Sequence, residues 1–300
     1  METNSTKEKI AIVVGGGDLP IKVINEALRK ELNFMVVGIK GISPRGLVNS
    51  YDNFWFYMGE VADFIAKLKH NNVKKILFVG SVLRPSLLSL KLDHLGKKFV
   101  EEHFSQIGGD DSLLSKVIFE IESHGFKVIA AQDIAENILA VKKVYTQTVP
   151  SPIELEEIQR AFELSKKISV LDIGQSIIFQ QNMVIAIEGV EGTAKLIRRS
   201  KNLIKKETLI KKISMFFLKL IFSLKTQSIN SKIGGAFLLK IKKSHQDMRV
   251  DLPTIGDKTI LQAHQAGLKG IVIEAESTII LNEQKTIDLA NKYGIFIVAL

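Results

Sequence analysis

The sequence has no cysteine among its 300 residues. Disulfide bridges, thiolate metal sites and cysteine nucleophiles are therefore excluded. The six histidines show neither the HxxxH nor the HxH spacing of a zinc site, and no G-x-S-x-G segment suggests a serine hydrolase. The lack of cysteine suits a reducing compartment, and we expect a cytoplasmic protein.

Long apolar runs are also missing. No stretch reaches the 18 or so uncharged apolar residues that a membrane-spanning helix requires. The segment from Met1 to Lys9 lacks the apolar core of a signal peptide. The apolar share of 46% and the charged share of 24% are typical of a globular protein.

Short apolar segments alternate with helical patterns along the first half of the chain. Continuous apolar strands of this kind indicate a parallel sheet covered on both faces. We predict an α/β fold class with two domains: an N-terminal Rossmann-like parallel sheet over 1–144, a linker over 145–152, and a C-terminal mixed α/β domain over 153–300. A ligand is expected in the interdomain cleft. The predicted N-terminal strands cover residues 9–14, 34–39, 75–80 and 126–131.

The first strand is followed by a glycine turn, Gly15-Gly16-Gly17-Asp18-Leu19. A bare backbone at a helix N-terminus could hold a phosphate, whereas the alternative is a tight turn capped by Asp18. The turn lacks the third glycine of a dinucleotide fingerprint, and no acid follows the second strand to hold a ribose. These absences argue against an NAD(P)-dependent oxidoreductase.

Two further segments of the first domain carry charged side chains. Arg84 follows the third predicted strand, where it is either an anion-binding residue or a solvated loop arginine. Asp110 and Asp111 open a predicted helix, whose dipole they would stabilise. They could also reach a metal or a sugar hydroxyl.

The segment Glu188-Gly189-Val190-Glu191-Gly192-Thr193 leads from a predicted strand into a helix. Its glycines indicate close approach of the backbone to a ligand. Glu188 or Glu191 is either a metal ligand or a cap for the helix that carries Arg198 and Arg199.

The run from Ser244 to Gly256 is the most informative segment of the chain. It holds two carboxylates four residues apart, Asp247 and Asp251, with Arg249 between them. Such acids could bind a hard divalent cation, and the guanidinium could face a phosphate. The alternative is a polar turn that leads into a helix, with Asp251 as its cap.

The positive charge is concentrated in one region. Residues 195–249 hold 15 basic and 2 acidic residues. Residues 202–225 predict a basic amphipathic helix that either contacts an anionic membrane or packs in a core or dimer interface. A non-enzymatic membrane- or nucleic-acid-binding module is therefore an alternative. Aromatic residues are poorly placed for base stacking, so we expect no nucleic-acid partner.

Six motifs in order resemble the LpxI-type UDP-2,3-diacylglucosamine pyrophosphatases. Each one alone is weak, but the ordered set is specific and extends from Ile10 to Val298. The motifs lie at Gly15–Pro20, Arg84–Ser86, Gly109–Leu114, Asp172–Ser176, Glu188–Thr193 and Gln246–Gly256.

The resemblance implies an enzyme of lipid A biosynthesis that splits UDP-2,3-diacylglucosamine into UMP and 2,3-diacylglucosamine 1-phosphate. It implies a divalent metal, usually Mg²⁺ (Mn²⁺ is another candidate), a lipid substrate between the domains, and a homodimer. The family's essential aspartate matches Asp247 or Asp251. We favour Asp251, because the following Leu-Pro-Thr-Ile-Gly fixes its backbone.

Site residues follow from the residue patterns and the resemblance together. We assign a catalytic role to Asp251, Asp247 and Arg249, and metal binding to Asp251, Asp247 and Glu188. The predicted substrate contacts are Gly15, Gly16, Gly17, Asp18, Leu19, Arg84, Asp110, Asp111, Gln175, Glu191, Gly192, Thr193 and Thr254.

The chain departs from the family pattern at about residues 200–234, where the usual members are shorter and less basic. The basic amphipathic segment is therefore predicted to be an insertion. Peripheral contact between this segment and the cytoplasmic face of an anionic inner membrane is therefore a hypothesis for this chain alone.

Overall fold

The computed structural model describes residues 8–82, 90–103, 110–204, 235–244 and 246–300, with backbone alone for residues 110–112. These residues form two compact units. The first consists of Met1–Ile138 and Asp247–Leu252, and the second of Leu139–Gln246 and Pro253–Leu300. Both units combine helices with a sheet, which confirms the predicted α/β class.

The first unit contains a five-stranded parallel sheet of order β3-β2-β1-β4-β5. The order reverses between β1 and β4, and open α/β sheets bind ligands at the carboxyl ends of the strands at such a point. The strands are β1 (Lys9–Val14), β2 (Phe34–Ile39), β3 (Asn53–Phe56), β4 (Val73–Val79) and β5 (Lys127–Ile129).

Helices follow the strands of the first unit. Helix α1 buries Val23, Ile24 and Ala27 against the sheet, and Pro20 suits its first turn because a proline nitrogen has no hydrogen to leave unbonded. The helices are α1 (Leu19–Arg29), α2 (Arg45–Val48), α3 (Val61–His70), α4 (His94–His103), α5 (Asp110–Ser123) and α6 (Ala131–Ile134), with a 3₁₀ turn at Glu136–Ile138.

The second unit contains a mixed six-stranded sheet of order β6-β13-β11-β9-β7-β8. Strands β9, β11 and β13 are parallel to one another, while β7 is antiparallel to β9. A separate parallel pair joins β10 to β12. The strands are β6 (Lys143–Val144), β7 (Ser176–Gln180), β8 (Met183–Ile187), β9 (Phe237–Lys240), β10 (Thr254–Ile255), β11 (Gly270–Ile273), β12 (Ile279–Ile280) and β13 (Phe296–Ala299).

The helices of the second unit have strong local start and stop signals. Helix α7 begins after Ser151, whose side chain bonds the amide of Glu154 while the Glu154 carboxylate bonds the amide of Ser151. Two of the helices end at glycines in the left-handed conformation, Gly267 and Gly294. The helices are α7 (Pro152–Ser169), α8 (193–204), α9 (Asp257–Ala266) and α10 (Glu283–Tyr293).

The boundary between the units lies between Ile138 and Leu139, earlier than the predicted 144–145. The predicted linker belongs to the second unit, because it continues the edge of the large sheet. Tyr145 donates its amide to the carbonyl of Ile297 at 2.9 Å, and Thr146 Oγ1 accepts the Ile297 amide at 2.9 Å. The segment Asp247–Leu252 was expected in the second domain but belongs to the first unit.

Most of the predicted basic insertion lies outside the described residues, because residues 205–234 are not among them. Among the helices that are described, none is long and apolar enough to cross a membrane.

Candidate functional site

The glycine turn of the first unit is held against the end of β4. The Gly15 amide bonds the carbonyl of Val79 at 2.7 Å, and Gly16 exchanges two backbone hydrogen bonds with Ser81, at 2.8 and 2.9 Å. A Cβ on Gly15 would lie 2.6 Å from the Ser81 carbonyl oxygen. Gly15 is thus required by this backbone contact, and the amides of Gly15 and Gly16 are already engaged.

The rest of the turn faces solvent at the start of α1. Gly17 adopts a left-handed φ of 90° and is exposed, as is Asp18. Asp18 occupies the N-cap position, but its side chain makes no capping hydrogen bond, so the predicted side-chain cap is wrong. Gly17 and the first amides of α1, beginning at Leu19, are the part of this turn that an anion can approach.

Three predicted site residues of the first unit have no described side chain. Arg84 lies outside the described residues, and Asp110 and Asp111 are described by their backbone only, at the start of α5. The predicted helix start is confirmed for these two acids.

The segment Asp247–Leu252 is fixed to the first unit by Arg249. The guanidinium binds Asp247 through a two-point fork, with Nε–Oδ1 at 3.0 Å and Nη2–Oδ2 at 2.8 Å. Its Nη1 binds Glu122 Oε1 of α5 at 2.8 Å. The Arg249 amide also donates to Asp247 Oδ1, at 2.9 Å. One arginine thereby ties the tight turn at Asp247 to the end of α5.

This ion pair keeps both partners charged. Hydrogen bonding from Arg249 lowers the pKa of Asp247 below its usual range, although burial opposes the shift. The same hydrogen bonds raise the pKa of Arg249. Both oxygens of Asp247 and the whole guanidinium fork are engaged within the protein, so these two residues build the turn.

Asp251 lies one turn further along this segment. Its amide donates to the Asp247 carbonyl at 3.0 Å, and the residue is partly buried. It does not cap the next helix, because α9 begins at Asp257 after Gly256. The interpretation of Asp251 as a helix cap was therefore wrong.

A buried polar cluster lies at one edge of the large sheet in the second unit. Thr193 Oγ1 bonds Glu188 Oε1 at 3.0 Å, lies 3.2 Å from Ser176 Oγ, and accepts from Lys240 Nζ at 3.4 Å. Lys240 Nζ also donates to the carbonyl of Thr254 at 3.1 Å. Three predicted residues, Glu188, Thr193 and Thr254, are thus brought together.

Sequence reasoning missed Lys240, the residue that joins them. It is the last residue of β9 and was taken as part of an ordinary strand. The available signal was its position at the carboxyl end of a buried parallel strand, where open α/β sheets bind their ligands.

Glu191 has a structural role in the same loop. Arg199, two turns into α8, donates to Glu191 Oε1 through Nε at 3.0 Å and Nη2 at 2.9 Å. The pKa of Glu191 is lowered, first by a hydrogen bond from its own amide and then by Arg199. Gly192 precedes α8 with a left-handed φ of 80°. The geometry favours the interpretation of Glu191 as a brace for the start of this helix.

Gln175 lies beside the cluster, immediately before β7. Its backbone carbonyl accepts a hydrogen bond from the amide of Ile241 at 3.0 Å, which extends the pairing of β7 with β9 by one residue. Its side-chain Oε1 is buried and has no hydrogen-bond partner among the described residues.

The predicted metal ligands are divided between the two units along the chain. Asp247 and Asp251 belong to the first unit and Glu188 to the second. No group of three His, Asp or Glu side chains suited to a metal ion occurs within the described ranges. Mg²⁺ prefers octahedral oxygen coordination, and the Asp247 carboxylate is committed to Arg249. The metal site stays a prediction.

A five-stranded parallel sheet with a switch point between β1 and β4, followed by a mixed α/β unit, defines a two-unit Rossmann-like α/β protein. The model of the LpxI N-terminal domain matches residues 9–138, and the model of the LpxI C-terminal domain matches residues 141–298. The chain therefore belongs to the LpxI family, as its motifs predicted. It is 27% identical over 295 residues to the UDP-2,3-diacylglucosamine pyrophosphatase LpxI of Caulobacter vibrioides, and the match covers 97% of each chain.

Proposed function

We propose that this chain hydrolyses the pyrophosphate bond of UDP-2,3-diacylglucosamine and releases UMP and 2,3-diacylglucosamine 1-phosphate, a step of lipid A biosynthesis. The observation that carries the proposal is the match to a relative named for this activity over 97% of both chains. The assignment of both halves to LpxI domains supports it.

Asp251 is the acid we assign to the reaction. Two aspartates fit the motif, and Asp251 is the one followed directly by Leu-Pro-Thr-Ile-Gly, which fixes its backbone. Asp251 follows directly on the turn that the ion pair of Arg249 with Asp247 stabilises. A carboxylate at that position can orient the attacking water and accept its proton.

The negative charge of the diphosphate requires positive partners. Arg84 and the start of α1 at Gly17–Leu19 are our candidates for the first unit, because guanidinium groups and helix N-termini both stabilise phosphate oxygens. Arg249 acts indirectly in this proposal, by holding the segment that carries Asp251.

We also propose that the reaction depends on a divalent cation, Mg²⁺ or Mn²⁺, with Asp251 as a ligand. A bound cation would polarise the phosphoryl oxygens of the substrate. A chelator should then abolish UMP release, and added Mg²⁺ should restore it. Full activity after exhaustive chelation would contradict this part of the proposal.

The decisive experiment compares Asp251→Asn with Asp247→Asn in an assay of UMP release from UDP-2,3-diacylglucosamine. Asp251→Asn should lower kcat of the folded protein by about 10²–10⁴-fold, the range for loss of a general base. Asp247→Asn should lower the unfolding free energy by about 1 kcal/mol. Near-normal turnover by Asp251→Asn would refute its assignment, and wild-type protein without UMP release would refute the function.

Contact with the membrane and dimerisation belong to the same proposal. The basic residues between 200 and 234 would attract an anionic bilayer. Deleting residues 205–234 should reduce sedimentation with anionic liposomes, and unchanged partitioning would exclude this segment as the contact. Sedimentation equilibrium of the full chain tests the dimer.

A further inference from the structure

Lys240 is a charged residue inside the second unit. It ends β9 and is only 7% exposed. Burial of an ammonium group is unfavourable unless hydrogen bonds and opposite charge compensate for the lost water. The partners of its Nζ therefore indicate why a lysine occupies this position.

The Lys240 ammonium and the Glu188 carboxylate together fix how the Thr193 hydroxyl points. A lysine can only donate hydrogen bonds, so at 3.4 Å from Lys240 Nζ the Thr193 oxygen acts as an acceptor. The single hydroxyl hydrogen of Thr193 is then donated to Glu188 Oε1, at 3.0 Å. Ser176 Oγ, at 3.2 Å, supplies the second hydrogen that Thr193 accepts. The directions of these hydrogen bonds follow from the lysine, which only donates, and from the carboxylate, which only accepts.

The series of hydrogen bonds that starts at Lys240 ends at a buried carboxylate, that of Glu188. Glu188 is 6% exposed, and its Oε2 atom has no hydrogen-bond partner among the residues that the structure describes. A buried carboxylate oxygen without a donor is destabilising, and proteins retain such groups mainly where a ligand or solvent supplies the donor. Oε1 is held by Thr193, so Oε2 is the atom that can accept a hydrogen bond from a ligand.

Lys240 also braces a second predicted substrate contact. Its Nζ donates to the carbonyl of Thr254 at 3.1 Å, and Thr254 begins β10. The same ammonium therefore fixes the loop after β8 and the start of β10. Both contain residues that the sequence assigns to substrate binding.

We propose that Lys240 is a positioning residue for the substrate. It orients Glu188 through Thr193, so that Glu188 Oε2 accepts a hydrogen bond from a hydroxyl or N–H group of the sugar nucleotide. This inference rests on the proposed function. Because the acid assigned to the reaction is Asp251, the Glu188 contact contributes to binding in the ground state and the transition state alike, and its loss raises KM more than it lowers kcat.

The test measures kcat and KM for UMP release by the full chain with Lys240→Met and with Glu188→Gln. Each variant should raise KM about tenfold, the effect of losing one charge-assisted hydrogen bond, with kcat within about threefold of wild type. The double variant should be no worse than about threefold beyond either single one, since the two residues act as a unit. Lys269→Met is the matched control, because Lys269 is exposed at the opposite edge of the same sheet.

Hydrogen–deuterium exchange gives a readout that does not depend on activity. Lys240→Met should increase exchange in peptides covering 188–196 and 253–256, while β11 and β13 stay unchanged. Should Lys240→Met fold poorly, Glu188→Gln still has to raise KM. An unchanged KM in Glu188→Gln, or KM effects that multiply in the double variant, would overturn the proposal. Wild-type protein that releases no UMP would instead overturn the proposed function, and the positioning role would fall with it.

Discussion

Arg249 forms ion pairs with two carboxylates at once, and the stability of its segment depends on their charge. Its fork binds Asp247 and its remaining terminal nitrogen binds Glu122. The pair is partly exposed, so water screens it, and we assign about 1 kcal/mol to it. This free energy is present only while Asp247 is ionised.

The stability of the first unit should therefore fall in acid. The pKa of Asp247 is lowered in the folded protein by its hydrogen bonds to Arg249. A lowered folded-state pKa stabilises above the unfolded-state pKa of about 3.9, and this contribution is lost as the pH falls through the folded-state pKa. Urea unfolding should show wild type more stable than Asp247→Asn by about 1 kcal/mol at pH 6, with a smaller difference near pH 3.

Asp288→Asn is a control for removal of a carboxylate. Asp288 lies on the exposed face of α10, where it accepts a hydrogen bond from neutral Gln284. If the difference between wild type and Asp247→Asn were independent of pH, the Arg249 pair would not be its source.

Single residues were the hardest part to infer from sequence. The ion pair of Arg249 with Glu122 could not be foreseen, because Glu122 lies 127 positions away in the chain. Lys240 was overlooked because a lysine at a strand end is usually solvated, and its acceptors come from other elements. Glu188 and Thr193 could be selected, since their glycine-rich loop has a local pattern.

At the scale of elements, the turns after β1 and β4 form one structural feature. Gly80 has a left-handed φ of 98°, and a Cβ there would lie 2.7 Å from the Gly16 carbonyl oxygen. Gly15 has the matching constraint against Ser81. The two turns approach so closely at the switch point that only glycine fits on either side.

Substitution of Gly15 and of Gly17 separates a packing role from a ligand-binding role within the turn after β1. Gly15→Ala should destabilise the protein by about 1–3 kcal/mol, because its Cβ would overlap backbone that must move. Gly17→Ala should cost about 1–2 kcal/mol of backbone strain only, since no atom lies within 4 Å of its Cβ position. Thermal unfolding measures both destabilisations, and KM for the substrate measures the ligand role of Gly17.

The two outcomes can be told apart. Gly17→Ala should raise KM if the start of α1 binds the diphosphate, whereas Gly15→Ala should lower the unfolding midpoint with little change in KM for the folded fraction. Full stability of Gly15→Ala would contradict the close backbone approach.

Elements with strong local signals could be predicted to the residue. Strands β1 and β2 occupy the predicted ranges 9–14 and 34–39. Both are almost entirely apolar and buried. Strand β3 was missed because its four residues Asn53–Phe56 are mostly half-buried at the sheet edge and show no alternation.

At the scale of the whole molecule, the first unit is completed by six residues from the second half of the chain. Asp247–Leu252 lies in sequence between β9 and β10, yet it belongs to the unit that contains α5. Val250 packs against the apolar core formed by β1, β2, β4 and α5. A boundary placed by composition alone cannot reveal this, because the contacts that define it are not local.

The contacts between this segment and α5 predict which part of the protein is affected when Arg249 is lost. Arg249→Met removes the bonds to Glu122 and Asp247 but keeps an apolar side chain, so the segment should detach from α5. Hydrogen–deuterium exchange should then increase over 118–128 in the first unit and remain unchanged in β11 and β13. Arg160→Met is the matched control, because Arg160 is exposed in the second unit, where it bonds Asn182 at 3.2 Å. Increased exchange in β11 and β13 with none near Glu122 would show that the segment supports the second unit instead, because local opening follows the contacts that are lost.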